Sequence, residues 1–486
     1  MVAAEVSPWA KTGGLADVLA ALPAALSQLG HSVTVVLPKY RGVSLPDASR
    51  WSRLVAVGDR VLDVVFHVNA PVTGPRTVMV DVPTFFDRDG LYGTGPRDFA
   101  DNAERFAGLA AAALEFAEHD PGGTPVDVIH AHDWQAGLVP VFLETQTGRF
   151  PRLHRAARVF TIHNLAYQGL FPRQVVPALG LPWSVFTIET GEFWGQFSFL
   201  KAGLTRSDTL TTVSPTYARE TQTAALGFGL EGVLSARRDR YVGILNGIDT
   251  DVWNPSTDPH LPAHYDAGDL SGKATCKRAL LARFGLAIGD NVMARPIVGL
   301  VSRLVEQKGI DLVAEAADTL AELDATWIVV GVGDPTYEAF LRDWAARYPS
   351  RVGIHIGFDE GLAHLVEAGA DIFLMPSKFE PCGLNQMYSL RYGTVPIVHA
   401  VGGLDDTVQP YTARARRANG FKFHEPTAAA MTRSVRQAVR LYANRPVWAS
   451  LLRQGMAEDH SWETSAREYV KVYRRARHAA AAHAAG

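Results

Sequence analysis

Short apolar runs alternate almost throughout this chain with longer stretches whose apolar positions recur every three or four residues. HSVTVVLP (31–38) is short and β-branched and predicts a strand. Before it, Leu15, Val18, Leu19, Leu22, Leu26 and Leu29 recur at helical spacing. VDVIHAHDW (126–134), RVFTIHN (158–164) and TLTTVSP (209–215) each predict a strand running into a loop, with helices over 99–118 and 136–147. The second half repeats the theme in PIVGLVSRL (296–304), TWIVVG (326–331), VGIHIG (352–357), DIFLMP (371–376) and VPIVHA (395–400), each followed by a helical stretch. In the first of those helices Ile310, Val313, Ala317 and Leu320 share one face. Strand–helix alternation predicts parallel sheets covered on both faces. Two such series, divided near YVGILNGIDTDVWNPSTDP (241–259), predict an α/β chain of two doubly wound, Rossmann-like domains facing a deep cleft. The expected segments are 1–243, 244–461, and a C-terminal helix over 462–486 that packs back on the first domain and ends in a frayed Ala/His tail.

Composition narrows this picture. A length of 486 residues accommodates two or three domains, at about 100–200 residues each. Hydrophobic residues at 47% and charged residues at 20% suit a globular protein with ample core. A formal net charge of −3, without a long basic stripe, gives no footprint for nucleic acid. No apolar run approaches the roughly 18–20 residues that span a bilayer, and no signal-peptide pattern opens the chain. Cys276 and Cys382 lie far apart, which points away from a disulfide framework and toward a reducing compartment. The expectation is a cytoplasmic protein.

In open α/β sheets, ligands sit outside the carboxyl ends of the strands, so the residues just after each strand carry the chemistry. KTGGL (11–15) lies before a helix, where Gly13 and Gly14 let backbone N–H groups approach an anion and Lys11 adds a charge; a tight turn with a solvated lysine is the equal alternative. Arg303 and Lys308 in SRLVEQKG sit between a strand and a helix, as a diphosphate clamp or as two surface charges. GVGDPTY (331–337) reads as an ordinary turn with Pro335 opening a helix. HAHDW (130–134) lacks the further ligands a metal needs; sugar contact through Asp133 and stacking on Trp134 is the better reading, with His163 and Asn164 facing the same opening. The triplets Asp87–Asp89 and Asp249–Asp251 follow no clear strand end and read as structural. In FLMPSKFEPCGLNQM (373–387), Glu380 stands in a turn held by Pro381 and Gly383, either capping the next helix or offering a fixed acceptor to a polyol.

Together these segments resemble the bacterial glycogen synthase and plant starch synthase family. The resemblance rests on KTGGLADV, HAHDW, TIHN, NGID, SRLxxQKG and EPCGL in family order, and on WExSAxxY from Trp462 to Tyr469. It implies a retaining glycosyltransferase of the GT-B type, with its active site in the interdomain cleft. The implied reaction moves glucose from ADP-glucose to the non-reducing end of an α-1,4-glucan, with no metal and no cofactor. By resemblance, Arg303 and Lys308 take the donor diphosphate, and Lys11 with Gly13 and Gly14 closes on it from the other domain. Glu380 holds hydroxyls of the moving glucose, with Cys382, Gly383 and Leu384 around it. Asp133, His163 and Asn246 contact sugar or acceptor. Phe358 stands where the family often places a tyrosine beside the base, and Asn385 where threonine is common. The first strand is expected to be short by a few residues. A UDP-glucose enzyme or another glucosyltransferase of this fold, such as a phosphorylase or a sucrose synthase-like enzyme, is the nearest rival. A silent glucan-binding protein and a dinucleotide oxidoreductase are more distant ones; the chain lacks a convincing G-x-G-x-x-G.

Overall fold

The structure, a computed structural model, describes residues 1–95, 97–123, 125–415 and 417–485. The chain divides into two compact units, Met1–Gly247 with the helix Trp462–Ala485, and Ile248–Ser461.

The strands of the first unit are β1 (Thr34–Pro38), β2 (Ser49–Val57), β3 (Arg60–Asn69), β4 (Arg76–Asp81), β5 (Gly93–Thr94), β6 (Arg97–Asp98), β7 (Val128–His132), β8 (Ala157–Ile162), β9 (Leu170–Pro172), β10 (Glu192–Phe193), β11 (Gln196–Ser198), β12 (Thr209–Thr212) and β13 (Tyr241–Gly243). They form the rows β1-β4-β3-β2 and β13-β12-β8-β7, a small sheet β10-β11-β9 and the ribbon β5-β6. The opening segment joins the two rows: Val2 bridges in parallel to Val36 of β1 and to Ala131 of β7. Its N–H donates to His130 O at 2.9 Å, and that of Ala3 donates to Val36 O at 3.1 Å.

One expectation needs correction here. The sheet of this unit is not parallel throughout, because β2–β3 and β3–β4 pair antiparallel. Only Gly58 and Asp59 separate β2 from β3, and a two-residue link permits a hairpin but no helical crossover. β2 accordingly alternates exposed and covered positions, as a strand with one wet face does. On the other side of the core, the helix Gly14–Gln28 buries Leu15, Val18, Leu19, Leu22 and Leu26. Trp462, Ala466, Tyr469, Val472 and Ala476 of the terminal helix share that cluster with Val35 and Val159.

The second unit holds β14 (Ile297–Val301), β15 (Thr326–Gly331), β16 (Val352–Ile356), β17 (Ile372–Met375), β18 (Val395–His399) and β19 (Phe421–Phe423). Their order is β16-β15-β14-β17-β18-β19, and every pairing is parallel. β15, β17 and β18 are buried along their whole length, which explains the apolar runs 327–331, 372–375 and 395–398 within them. The strand order reverses between β14 and β17, so a crevice opens at their carboxyl ends. Among the described residues, no helix is long and apolar enough to cross a membrane.

Candidate functional site

In the second unit, the loops after β14 and β17 lie side by side at that reversal point. Gly309 ends the first loop at φ 72°, and a Cβ there would run into the carbonyl of Pro376, so the loops approach more closely than any other residue would allow. Gln307 ties them together: its Nε2 donates to Phe379 O at 3.1 Å and its carbonyl accepts from Lys378 N at 2.8 Å. This places the Lys308 ammonium 2.5 Å from Glu380 Oε2. Ser377 donates to the same oxygen at 3.0 Å. The pair is largely buried, with 18% and 10% of its side chains exposed, so each charge depends on the other. Arg303 stays exposed, its fork reaching Gln307 Oε1 at 3.5 Å.

The turn carrying Glu380 is itself supported. Gly402 and Gly403 open a helix directly beneath it, and the N–H of Gly403 donates to the carbonyls of Glu380 and Pro381. A Cβ on Gly402 would collide with the Glu380 carbonyl. His399, at the end of β18, bonds through Nδ1 to Ser377 O at 2.8 Å. Glu380 caps no helix: the helix Asn385–Arg391 starts after Leu384 without a side-chain cap. Asn385 reaches back to Val301 O at 2.9 Å and binds the two loops again. Cys382 is buried in this turn, with Gly383 and Leu384 half-buried beside it. Phe358 follows β16 and is 87% exposed.

In the first unit, the carboxyl half of β7 and the residues after β7 and β8 form a largely buried polar group of another kind. Asp133 sits at φ 55°, an uncommon backbone for an aspartate, and its Oδ1 accepts from His163 N at 2.7 Å. Burial pushes its carboxyl up to about 7, against the opposing pull of the His163 and Asn164 backbone N–H groups. Burial pushes His163 down to about 3, so the imidazole is neutral at physiological pH. His163 Nε2 meets His132 Nδ1 at 3.0 Å. The His130 and His132 rings lie 3.9 Å apart, tilted by 35°, and His130 bonds Thr161 Oγ1 at 2.6 Å and Tyr473 OH at 2.8 Å. Burial also holds His130 and His132 well below the usual imidazole range. Asn164 is half-buried and accepts from Ala166 N at 3.1 Å. Asn246 is buried, and its Oδ1 has no hydrogen-bond partner among the described residues.

The KTGG loop belongs to this unit too. Gly13 and Gly14 have open space where a side chain would be, and Lys11 is an exposed partner of Asp17 at 2.6 Å. The loop is shaped by Glu5, which the sequence reading missed. This buried carboxylate accepts from Thr12 N at 2.5 Å, Thr12 Oγ1 at 2.7 Å, Gly13 N at 3.3 Å and Tyr92 OH at 2.5 Å. A lone acid inside the apolar opening MVAAEV was the available signal.

Trp134 corrects another expectation. It is a core residue, packed edge-on against Phe106 at 5.0 Å and against Phe171 at 5.8 Å, with Gly169 pressed on its ring. It therefore offers no open face for a sugar. The acidic triplets have local partners: Arg41 binds Asp87 at 2.8 Å and Asp89 at 3.0 Å, and Asp249 accepts from Asp251 N at 3.0 Å. Asp334 caps the helix Pro335–Arg347, accepting from Thr336 N at 2.7 Å.

Known proteins share both units. The family description "Starch synthase catalytic domain" matches residues 1–236, and "Glycosyl transferases group 1" matches residues 289–450. A glycogen synthase of Anaeromyxobacter dehalogenans (strain 2CP-1 / ATCC BAA-258) is 52% identical, over 97% of this chain and 98% of that one. One from Koribacter versatilis (strain Ellin345) is 47% identical, over 98% and 97%. The catalytic domain of Starch Synthase IV from Arabidopsis thaliana, bound to ADP and acarbose, superposes with a TM-score of 0.86 at 32% identity, covering 98% of each chain. The fold class is thus the GT-B type that the strand pattern and the resemblance led one to expect. Matched at this level along nearly its whole length, the chain belongs to the glycogen synthase and starch synthase family of glycosyltransferases.

Proposed function

We propose that this chain transfers glucose from ADP-glucose to the non-reducing end of an α-1,4-glucan, in the cytoplasm, with retention at the anomeric carbon and without a metal ion. The observation that carries the reading is the Lys308–Glu380 pair, set beside exposed Arg303 where the parallel sheet reverses. Cations there neutralise the charge that grows on a departing diphosphate. Glu380, with Oε2 held by Lys308 and Ser377, orients the hydroxyls of the moving glucose. Lys11 and the open backbone of Gly13 and Gly14 bind phosphate. Asp133, His163, Asn164 and Asn246 contact sugar hydroxyls, for which neutral, desolvated donors and acceptors are suited. The Arabidopsis neighbour with ADP and acarbose supports this assignment of donor and acceptor classes.

Retaining glycosidases use two carboxylates about 5–5.5 Å apart, one of them a nucleophile. Glu380 has a cation as its near neighbour instead, which supports an orienting role. The C1–O bond to the diphosphate breaks, the incoming glucan hydroxyl bonds to C1 from the same face, and a phosphate oxygen takes its proton. The test is nucleotide release from ADP-glucose and from UDP-glucose, each with and without glycogen. Glycogen-dependent release of ADP is expected. Faster release of UDP would overturn the donor assignment, and a glucosyl ester isolated on Glu380 would overturn the mechanism.

A further inference from the structure

In the second unit, the helix Ala428–Tyr442 buries Met431, Val435, Ala438 and Tyr442 in the core. Its opposite face carries Arg433, Arg436 and Arg440, all exposed and spaced three and four residues apart, so they form one row. Exposed arginines on other helices of the chain have an acid one turn before them: Glu338 pairs with Arg342, Asp343 with Arg347 and Glu463 with Arg467. Here the same positions are Ala429, Thr432 and Arg436. The row therefore contains no acid, and it sets Arg436 one turn before Arg440, a like-charge spacing that destabilises a helix. Among the described residues, Arg436 and Arg440 have no hydrogen bond or ion pair, and Arg433 has only a loose contact with exposed Glu425 at 3.8 Å.

The row lines a groove of about 610 Å³, together with Tyr411 and Leu441. That volume is within the range of small-molecule sites, about 300–1,000 Å³. Tyr411 is held in place: its N–H donates to Gly420 O at 2.8 Å, Pro410 bridges to Gly420, and its ring lies 6.0 Å from that of Phe421. No acidic residue lines the groove, and the loop carrying Tyr411 adds exposed Arg414 and Arg417. Gly420 directly precedes β19, so the groove lies by the amino end of that strand. Lys308 and Glu380 stand in the loops at the carboxyl ends of β14 and β17.

We infer that this groove is a second anion site, separate from the crevice, for a small molecule bearing linked phosphoryl groups. A guanidinium fork matches the geometry of phosphate oxygens and keeps its charge at any physiological pH. From Arg433 to Arg440 the row extends about 10 Å along the helix axis, longer than one orthophosphate and suited to several phosphoryl groups in a chain. Tyr411 and Leu441 offer an apolar wall on which a flat ring attached to that chain can lie. Two sources share this chemistry, inorganic polyphosphate and a nucleoside polyphosphate, and they differ in whether Tyr411 contributes.

The test is titration calorimetry on the full chain with inorganic tripolyphosphate, orthophosphate and ATP, without magnesium. Tripolyphosphate should bind more tightly than orthophosphate. The double variant Arg436→Gln/Arg440→Gln should weaken tripolyphosphate binding at least about tenfold. Its Tm should be equal to or above the parent's, because glutamine keeps helix propensity and the like-charge pair is gone; that excludes misfolding as the cause. Arg303→Ala, which removes a cation beside the crevice, should leave this binding within about twofold. A parent that does not bind tripolyphosphate overturns the site. So does tripolyphosphate binding that survives in the folded double variant or disappears in Arg303→Ala, since either places the anion elsewhere. Tyr411→Ala then separates the sources. If it weakens the ATP binding that the double variant removes, and spares tripolyphosphate, the ligand is a nucleotide. Equal retention of both probes overturns the ring contact and makes inorganic polyphosphate the ligand.

Discussion

The two units assemble polar groups in opposite ways. In the second, opposite charges face each other 2.5 Å apart across two adjoining loops. In the first, His130, His132 and His163 are buried and Asp133 is half-buried; desolvation is the largest cause moving each toward its neutral form, helped by neighbouring positive groups at His130 and His132 and by Glu5 at Asp133. The difference matches the roles proposed for the two units. A diphosphate needs fixed charge, whereas hydroxyls need neutral hydrogen-bonding groups that do not attract ions or excess water.

The sharpest way to break this contrast is to uncharge the second unit's acid. Glu380→Gln should lower kcat by about a thousandfold, the scale of losing a preorganised electrostatic contact, with ADP-glucose affinity within a few fold by calorimetry. Loss of donor binding in step with kcat would mean that Glu380 merely builds the loop. Next in size is Lys308→Ala, which leaves the Glu380 carboxylate buried and unpaired. It should cost about 3 kcal/mol in denaturant unfolding, and adding Glu380→Gln to the same chain should recover most of it. A third change addresses the glycine loop. Glu5→Ala removes the acceptor shared by Thr12, Gly13 and Tyr92, and should lower kcat/KM for ADP-glucose about tenfold while leaving glycogen binding intact.

The smallest effect is a pH dependence confined to the first unit. Asp133 is pushed up to about 7 when folded, above the value of about 3.9 for an unfolded aspartate. A folded value above the unfolded one means that its stabilising contribution is complete below about pH 4 and is lost as pH rises through about 7. Asp133→Asn should therefore change Tm little at pH 4 and raise it by a few degrees at pH 8. The same rise at both pH values would show that the carboxyl is not neutralised by burial.

Much of this was legible in the sequence because parallel strands bury both faces. The runs at 297–301, 327–331 and 372–375 are apolar throughout, and the loops after the first and third carry Arg303, Lys308 and Glu380. The meander of β2, β3 and β4 was not read, because its signal is a two-residue Gly58–Asp59 link within alternating positions that resemble an exposed stretch. Ser377, Gln307, His399 and Glu5 escaped for another reason. Each acts on a partner chosen by folding, and no spacing in the chain announces that Gln307 will bond Phe379 or that Glu5 will bond Tyr92. Trp134 misled because an aromatic beside an acid at a strand end looks the same whether it faces a ligand or the core.

The helix beginning at Trp462 fills part of the first unit's interior, beside Leu19 and Leu22. On the ribosome, residues 1–247 emerge early but lack that filling until the whole of 248–461 has been made. The unit begun first is thus finished last, and the nascent chain carries an apolar gap for the duration of its neighbour's synthesis. A stalled chain ending before Trp462 would expose that gap to chaperones and proteases.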